Sequence, residues 1–217
     1  MNTGIQTSLY IKKEYMMKYI ALDIETVPLE IKDPDIIQYL MDKKISKEMR
    51  VLDPNYSKIV AIGLKQESKD PQILIGEDES KLLKEFWDIL DNYMKQPTPY
   101  KKWIVTHNGY KFDVPFIIVR SYVNHIKPKV AINTNKWRME ESNHFDTMLF
   151  FSQYELFTNL NLKILCRMHN IEVPEGISGA NIEEHYKKGN WDIIKEHCKQ
   201  DVQLTAKLYE KICLEAK

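Results

Sequence analysis

The pattern of apolar and polar residues along the chain predicts both strands and helices. Short aliphatic runs bounded by polar turns are typical of β-strands, and they lie at 18–27, 58–64, 72–75 and 103–107. Apolar residues that recur every three or four positions predict helices, at 35–45, 80–94, 112–123 and 190–214, with shorter ones near 145–152, 160–169 and 181–187. This order predicts an α/β domain with a mixed sheet flanked by helices.

The chain is predicted to form one domain, since 217 residues can bury a substantial single core. Residues 1–17 show no clear pattern and are predicted to be a flexible leader, with the domain at 18–217. Prolines interrupt the pattern within the domain, so 28–55 is interpreted as a surface insertion with a short helix. Residues 176–179 are predicted to form a loop.

Composition and charge exclude several classes of protein. No apolar run approaches the roughly 18 residues of a membrane span, and the amino terminus has no signal-peptide pattern, so we expect a soluble, cytoplasmic protein with no membrane partner. The three cysteines lack a C-x-x-C pair, which argues against a disulfide framework or a zinc ribbon. The net charge is zero, so any binding of nucleic acid must depend on local groups.

The first predicted strand ends with two carboxylates, Asp23 and Glu25. Residues two apart in a strand point to the same face, so these side chains are expected to lie together. Two like charges in a partly dry site repel each other, and a divalent metal ion would remove that cost. Alternatively, Asp23 or Thr26 caps the segment that follows.

Two further places in the chain could complete a metal site. Asp113 stands at the head of a predicted helix, after a strand and the Asn108-Gly109 turn, and it is either a helix cap or a third carboxylate. His197 and Asp201 are four residues apart on the last helix and share one face. Such a pair is also common on solvated helix surfaces.

Together these residues would place four carboxylates and a histidine on three elements. That set meets the needs of two-metal phosphodiester hydrolysis, in which two divalent ions stabilise the attacking and leaving oxygens. Oxygen ligands favour Mg²⁺ or Mn²⁺ over zinc. The metal ligands predicted are Asp23, Glu25, Asp113 and Asp201.

The same residues resemble the motifs of the DEDD superfamily of 3′–5′ exonucleases, which have an RNase H-like (DnaQ-like) fold. The motifs read Asp23-Ile-Glu25-Thr26, Asn108-Gly-Tyr-Lys-Phe112-Asp113 and His197-Cys-Lys-Gln-Asp201. The second is similar to the N-x-x-x-F-D string of family B polymerase proofreading domains. The resemblance covers about residues 18–212 and is greatest to stand-alone exonucleases related to those domains.

This resemblance implies that nucleoside 5′-monophosphates are removed from the free 3′ end of single-stranded nucleic acid, with DNA favoured over RNA. It implies a role in DNA replication or repair, in which a separate polymerase or replication protein would be the partner. The expected substrate contacts are Thr26, the main chain at Val27, Asn108 and Phe112. An aromatic ring can stack on a base without reading its identity.

Two neighbouring residues allow two interpretations each. His107 is either a strand-end histidine with its hydrogen bonds satisfied or a phosphate contact. Asp146 is either the N-cap of a helix or an outer support of the metal site.

His197 departs from the pattern of the superfamily. The Tyr-type branch has a tyrosine four residues before the last aspartate and the His-type branch a histidine five before it, whereas His197 occupies the tyrosine spacing. A histidine with a pKa of about 6.5 could act as the general base toward the attacking water; otherwise the activity is altered. An RNase H-like endonuclease and a non-cleaving nucleic-acid-binding scaffold remain alternative functions.

Overall fold

The computed structural model describes residues 18–133, 141–175 and 181–215. The predicted leader at 1–17 and the predicted loop at 176–179 lie outside the described residues. Within these ranges the mixed sheet has five strands in the order β3-β2-β1-β4-β5. The strands are β1 (Lys18–Pro28), β2 (Ser57–Gln66), β3 (Gln72–Ile75), β4 (Lys102–Thr106) and β5 (His144–Asp146). The predicted α/β class is confirmed.

Helices flank this sheet and follow most of the predicted segments. They are α1 (Pro34–Asp42), α2 (Lys47–Val51), α3 (Glu79–Lys95), α4 (Asp113–Val123), α5 (Thr147–Phe151), α6 (Leu162–Met168), α7 (Ile182–Lys187) and α8 (Trp191–Glu215). Strand β1 pairs antiparallel with β2 and parallel with β4, so it lies in the middle of the sheet. No helix among the described residues is both long enough and apolar enough to cross a membrane.

The prediction of a helix from about residue 145 is wrong at its start. Residues 144–146 form β5, which pairs parallel with β4 in the register Ile104 to His144. Three residues are too few to show the alternation of a strand, and the helical pattern of α5 follows at once. The strand places Asp146 beside the end of β4.

The segment from 28 to 55 carries two helices, α1 and α2, where one was predicted. Much of it is exposed, including Met41 and Leu52. It is tied to the sheet at its end, because the hydroxyl of Thr26 donates to the Val51 carbonyl and that of Ser57 to the Arg50 carbonyl. Its interpretation as an insertion stays a prediction.

The two faces of β1 pack against different helices. Ile20, Leu22 and Ile24 belong to a core cluster built with residues of α3 and α4. Tyr19 and Ala21 belong to a second cluster with residues of α8. Because side chains alternate along a strand, odd-numbered positions of β1 face α8. Asp23 and Glu25 therefore project toward the helix that carries His197 and Asp201.

Helix α8 lies unusually close to the sheet at one point. Gly63 of β2 is the register partner of Asp23. A Cβ atom at Gly63 would lie 2.9 Å from the Sγ atom of Cys198 and 3.2 Å from the Cβ atom of Val202. Only a residue without a side chain permits this approach, which brings α8 to the carboxylates of β1.

Candidate active site

The end of β1 forms one wall of the candidate site. Glu25 is 8 % exposed and Asp23 is partly exposed. Each offers one carboxylate oxygen to a group with the Cys198 thiol in which all three atoms lie within 4.8 Å of one another. The register of β1 against β2 shifts between Glu25 and Thr26, so the regular ladder is interrupted directly after the pair.

Asp113 joins this wall from α4. It is the first helical residue rather than the cap, since α4 has Phe112 at the N-cap and no side-chain capping bond. The Ile24 amide of β1 donates to Asp113 Oδ1 at 3.0 Å. The pairing of β1 with β4 ends at Ala21, so this amide is not used by β4. The side chain of Asp113 is therefore anchored to β1 at Ile24, the residue that separates Asp23 from Glu25.

His197 and Asp201 complete the cluster from α8. His197 Nδ1 lies 3.5 Å from Glu25 Oε1 and 3.4 Å from Asp201 Oδ2. These three side chains form a second group whose ligand atoms lie within 4.8 Å of one another. The sequence separation of four residues thus places both side chains on the helix face that meets β1, as predicted.

Electrostatic coupling shows that all four carboxylates belong to one site. Burial, followed by repulsion from Glu25, Asp113 and Asp201, raises the pKa of Asp23 well above its ordinary value. Burial and then Asp201 and Asp113 likewise raise the pKa of Glu25. Charges act on each other in this way only at short range.

The other two carboxylates are also shifted upward. Burial raises the pKa of Asp113 to about 7, although amide donors oppose the rise. Burial raises the pKa of Asp201, and the charges of His197 and Lys163 offset part of that effect. Without a cation the cluster therefore holds on to protons, and in the ionised form its carboxylates repel one another.

A divalent cation fits this donor set. The oxygen-rich cluster supplies hard ligands of the kind that Mg²⁺ and Mn²⁺ prefer. Asp201 Oδ1 is buried and has no hydrogen-bond partner among the described residues, so it is a donor atom with an unused lone pair. A cation would satisfy that atom and stabilise the ionised form of the four carboxylates, which burial disfavours.

Lys163 is a residue of the site that the sequence did not single out. It is the second residue of α6, and its ammonium charge lowers the pKa of both Glu25 and Asp201 against the larger effect of burial. These shifts indicate that the Lys163 charge acts on the acidic cluster from α6. Lysines are common on helix surfaces, so no local pattern distinguishes this one.

The turn between β4 and α4 is held by Asp146. Its carboxylate accepts from the amides of Asn108 and Tyr110 at 3.0 and 2.9 Å. It also accepts from Met148 and Leu149 and so caps α5, which confirms the N-cap interpretation. One buried carboxylate thus fixes the turn that leads to Asp113.

Asn108 and Phe112 lie on that turn. Asn108 adopts a positive φ of 66°, a conformation that asparagine tolerates better than most residues. Phe112 is partly exposed and packs edge-on against Phe116, with ring centroids 5.3 Å apart. Phe112 directly precedes Asp113, and the Phe112 amide donates to the Asn108 carbonyl. The predicted substrate contacts of both residues stay predictions.

Both ring nitrogens of His107 face groups within the protein, which favours the interpretation as a satisfied strand-end histidine over a phosphate contact. Its Nδ1 lies 2.9 Å from the Thr147 hydroxyl, and its Nε2 lies 3.1 Å from the Leu160 carbonyl. Burial lowers the pKa of His107 to about 4, so the ring is neutral at pH 7. It is a satisfied interior histidine that ties the end of β4 to the segment before α6.

Thr26 and Val27 can meet a substrate only through their main chain. The Thr26 hydroxyl is buried and donates to the Val51 carbonyl at 2.9 Å. The Val27 side chain is fully buried in a core cluster with Val60 and Ile194. The expected role of the main chain here stays a prediction.

Comparison with known proteins agrees with this geometry. The sequence matches a family described as a predicted 3′–5′ exonuclease related to the exonuclease domain of PolB, over residues 50–216 or about three quarters of the chain. The match includes Asp113, His197 and Asp201 and begins after Asp23 and Glu25. None of the curated proteins matches the chain.

The fold is similar to that of a solved family B DNA polymerase from the hyperthermophilic archaeon Pyrobaculum calidifontis. The TM-score is 0.64 at 15 % identity, and the alignment covers 90 % of this chain. It covers 24 % of the polymerase, so the chain spans about a quarter of that protein. The likeness confirms the RNase H-like fold.

Proposed function

Because the chain belongs to the family of predicted 3′–5′ exonucleases related to the exonuclease domain of PolB, we propose that it cleaves single-stranded nucleic acid in a metal-dependent reaction. The products are nucleoside 5′-monophosphates released from the 3′ end. The observation that carries this proposal is the convergence of four mutually repelling carboxylates from β1, α4 and α8.

The residues of the cluster have distinct tasks in this proposal. Asp23, Glu25, Asp113 and Asp201 hold two divalent ions, Mg²⁺ or Mn²⁺. When bound, these ions supply positive charge to the attacking and leaving oxygens of the displacement. Asp113 is oriented by the Ile24 amide, which leaves its second oxygen for the site. Lys163 adds a fixed cation that attracts the phosphate backbone.

The turn from Asn108 to Phe112 provides the substrate contacts. The partly exposed Phe112 ring can stack on a base beside the scissile bond, which suits low sequence preference. DNA is the favoured substrate, because the structural relative is a DNA polymerase. A proofreading role in replication or repair would need a polymerase supplied by a separate protein.

A product assay tests the proposal. A 3′-labelled single-stranded DNA and the matching RNA are incubated with Mg²⁺, with Mn²⁺ or with EDTA. We expect labelled mononucleotide only with metal, and more from DNA. Internal fragments would indicate an endonuclease instead, and binding without any product would indicate a scaffold.

The variant Asp201→Asn tests whether the measured activity comes from this site or from a contaminating nuclease. We expect its turnover to fall by at least about 10²-fold, since one ligand of the charged cluster is lost. The matched control is Glu196→Gln on the same helix, because Glu196 is exposed and its carboxylate faces Lys199 and Gln200. An Asp201→Asn protein with wild-type turnover would contradict the proposed site.

A further inference from the structure

His197 lies inside the acidic cluster rather than on its rim. Its ring is 5 % exposed, and Nδ1 faces the Glu25 and Asp201 carboxylates. The other nitrogen, Nε2, is buried and has no hydrogen-bond partner within the described part of the chain. The single ring nitrogen that can act in the site is therefore Nδ1.

The distances from Nδ1 exceed those of ordinary hydrogen bonds. An N–H···O bond measures about 2.7–3.2 Å, whereas Nδ1 lies 3.5 Å from Glu25 Oε1 and 3.4 Å from Asp201 Oδ2. Ligand atoms that each lie about 2.1 Å from one ion are separated by about 3.0–3.4 Å at angles of 90–110°. The observed separations are close to those of three ligands around a shared cation.

We propose that His197 Nδ1 is itself a metal ligand, completing a mixed nitrogen and oxygen site with Glu25 and Asp201. This inference rests on the proposed function, because it concerns one of the same two metal positions. An imidazole ligand favours first-row transition ions over Mg²⁺, which takes oxygen ligands. The position is therefore selective for Mn²⁺ over Mg²⁺.

Ligation and general-base catalysis exclude each other at this nitrogen. A lone pair bound to a cation cannot accept a proton from the attacking water. Nε2 is buried, and it is Nδ1 rather than Nε2 that lies nearest to the Glu25 and Asp201 carboxylates. Ligation by His197 predicts a nitrogen coupling on bound Mn²⁺ and a metal affinity that depends on His197. General-base catalysis predicts neither.

Pulsed electron paramagnetic resonance of Mn²⁺ bound to the full-length protein tests the inference without measuring catalysis. We expect a ¹⁴N coupling on the bound Mn²⁺ that changes to the ¹⁵N pattern when only histidine is ¹⁵N-labelled. This measurement needs no substitution, so it stands even if a variant at position 197 does not fold.

The variant His197→Gln assigns the signal. Glutamine offers an oxygen in place of the nitrogen, so the coupling should disappear and the ratio of Mn²⁺ to Mg²⁺ affinity should fall by about tenfold. The control His125→Gln changes an exposed histidine on the turn after α4 and should leave both unchanged.

Other outcomes overturn the inference in recognisable ways. If Mn²⁺ binds without nitrogen coupling and His197→Gln keeps its metal affinity while turnover falls, His197 is the general base and the proposed exonuclease stands. If the wild-type protein binds neither ion and releases no product with metal, the proposed function fails together with this inference.

Discussion

Burial raises the pKa values of Asp23, Glu25 and Asp113, and the charges of neighbouring carboxylates add to the rise. Their pKa values in the folded, metal-free protein lie above the unfolded values of about 3.9 for aspartate and 4.3 for glutamate. The folded protein therefore retains protons that the unfolded chain releases. Its stability should fall as the pH rises from about 4 through about 7, the pKa of Asp113.

Metal addition should reverse this pH dependence. The ions bind the ionised carboxylates, so they stabilise the protein more at pH 8 than at pH 5. At a free concentration of 100 Kd, binding contributes about 2.7 kcal/mol, which for a chain of this size raises Tm by about 5–10 °C. The measurement is a set of thermal melts between pH 5 and 8, with Mn²⁺ and with EDTA.

His107 and His144 require that the melts with and without metal be compared at each pH. Burial lowers the pKa of His107 and His144 to about 4, so both destabilise the fold as the pH falls below about 6.5. That effect is the same with and without metal and cancels in the difference. A metal-dependent rise in Tm that is equal at pH 5 and pH 8 would contradict coupling to the carboxylates.

At the scale of residues, the sequence predicted which side chains share a face better than it predicted their surroundings. Spacings of two in a strand and four in a helix place Asp23 with Glu25 and His197 with Asp201 on one face, and such spacings are visible in a sequence. Lys163 and the partners of His107 were missed because they depend on tertiary contacts between distant segments. No local pattern encodes them.

At the scale of elements, the site depends on how closely α8 approaches the sheet. Gly63 of β2 contacts Cys198 of α8 beside its register partner Asp23. Asp201 follows Cys198 on α8 by less than one helical turn. A change in this contact moves His197 and Asp201 relative to β1. The contact therefore sets the distance between β1 and α8, two of the three elements that carry the carboxylates.

Gly63→Ala tests that dependence. The added Cβ would lie 2.9 Å from Cys198 Sγ and 3.2 Å from the Cys198 carbonyl oxygen, so α8 must shift. We expect a loss of about 1–3 kcal/mol in the free energy of unfolding, the usual cost of overpacking. Turnover should fall by about 10²-fold, because catalysis is sensitive to displacements of about 1 Å.

The double variant Gly63→Ala/Cys198→Ala distinguishes displacement from general damage. Removing Sγ relieves the shortest contact, so part of the lost stability and turnover should return, with Cys198→Ala alone as the control. Denaturant unfolding and single-turnover rates are the measurements. Wild-type values for Gly63→Ala would show that α8 is not positioned by this contact.

Strand β5 was not predicted, because the local hydrophobic pattern does not show pairing between distant segments. Its three residues pair parallel with β4, and its last residue, Asp146, holds the turn to Asp113. The pairing is a long-range interaction, separated from β4 by about 40 residues of chain. Short edge strands are specified by such pairing rather than by alternation.

At the scale of the whole molecule, β1 joins the two halves of the fold. It pairs with β2 on one side and β4 on the other, and its two faces contribute to the clusters packed by α3 and by α8. The mixed α/β class followed from the order of elements in the sequence. The strand order did not, because pairing between distant strands leaves no mark on local hydrophobicity.

Truncation tests which part of the chain forms this unit. A chain beginning at Arg50, the first position of the family match, lacks β1 and with it the central ladder, Asp23 and Glu25. We expect no cooperative thermal transition from it, since both core clusters lose a strand. A chain beginning at Met17 retains β1, the central ladder and both core clusters, so it should melt within about 2 °C of the full chain. Differential scanning calorimetry of the three chains measures this, and a markedly lower Tm for the Met17 chain would show that residues 1–16 stabilise the domain.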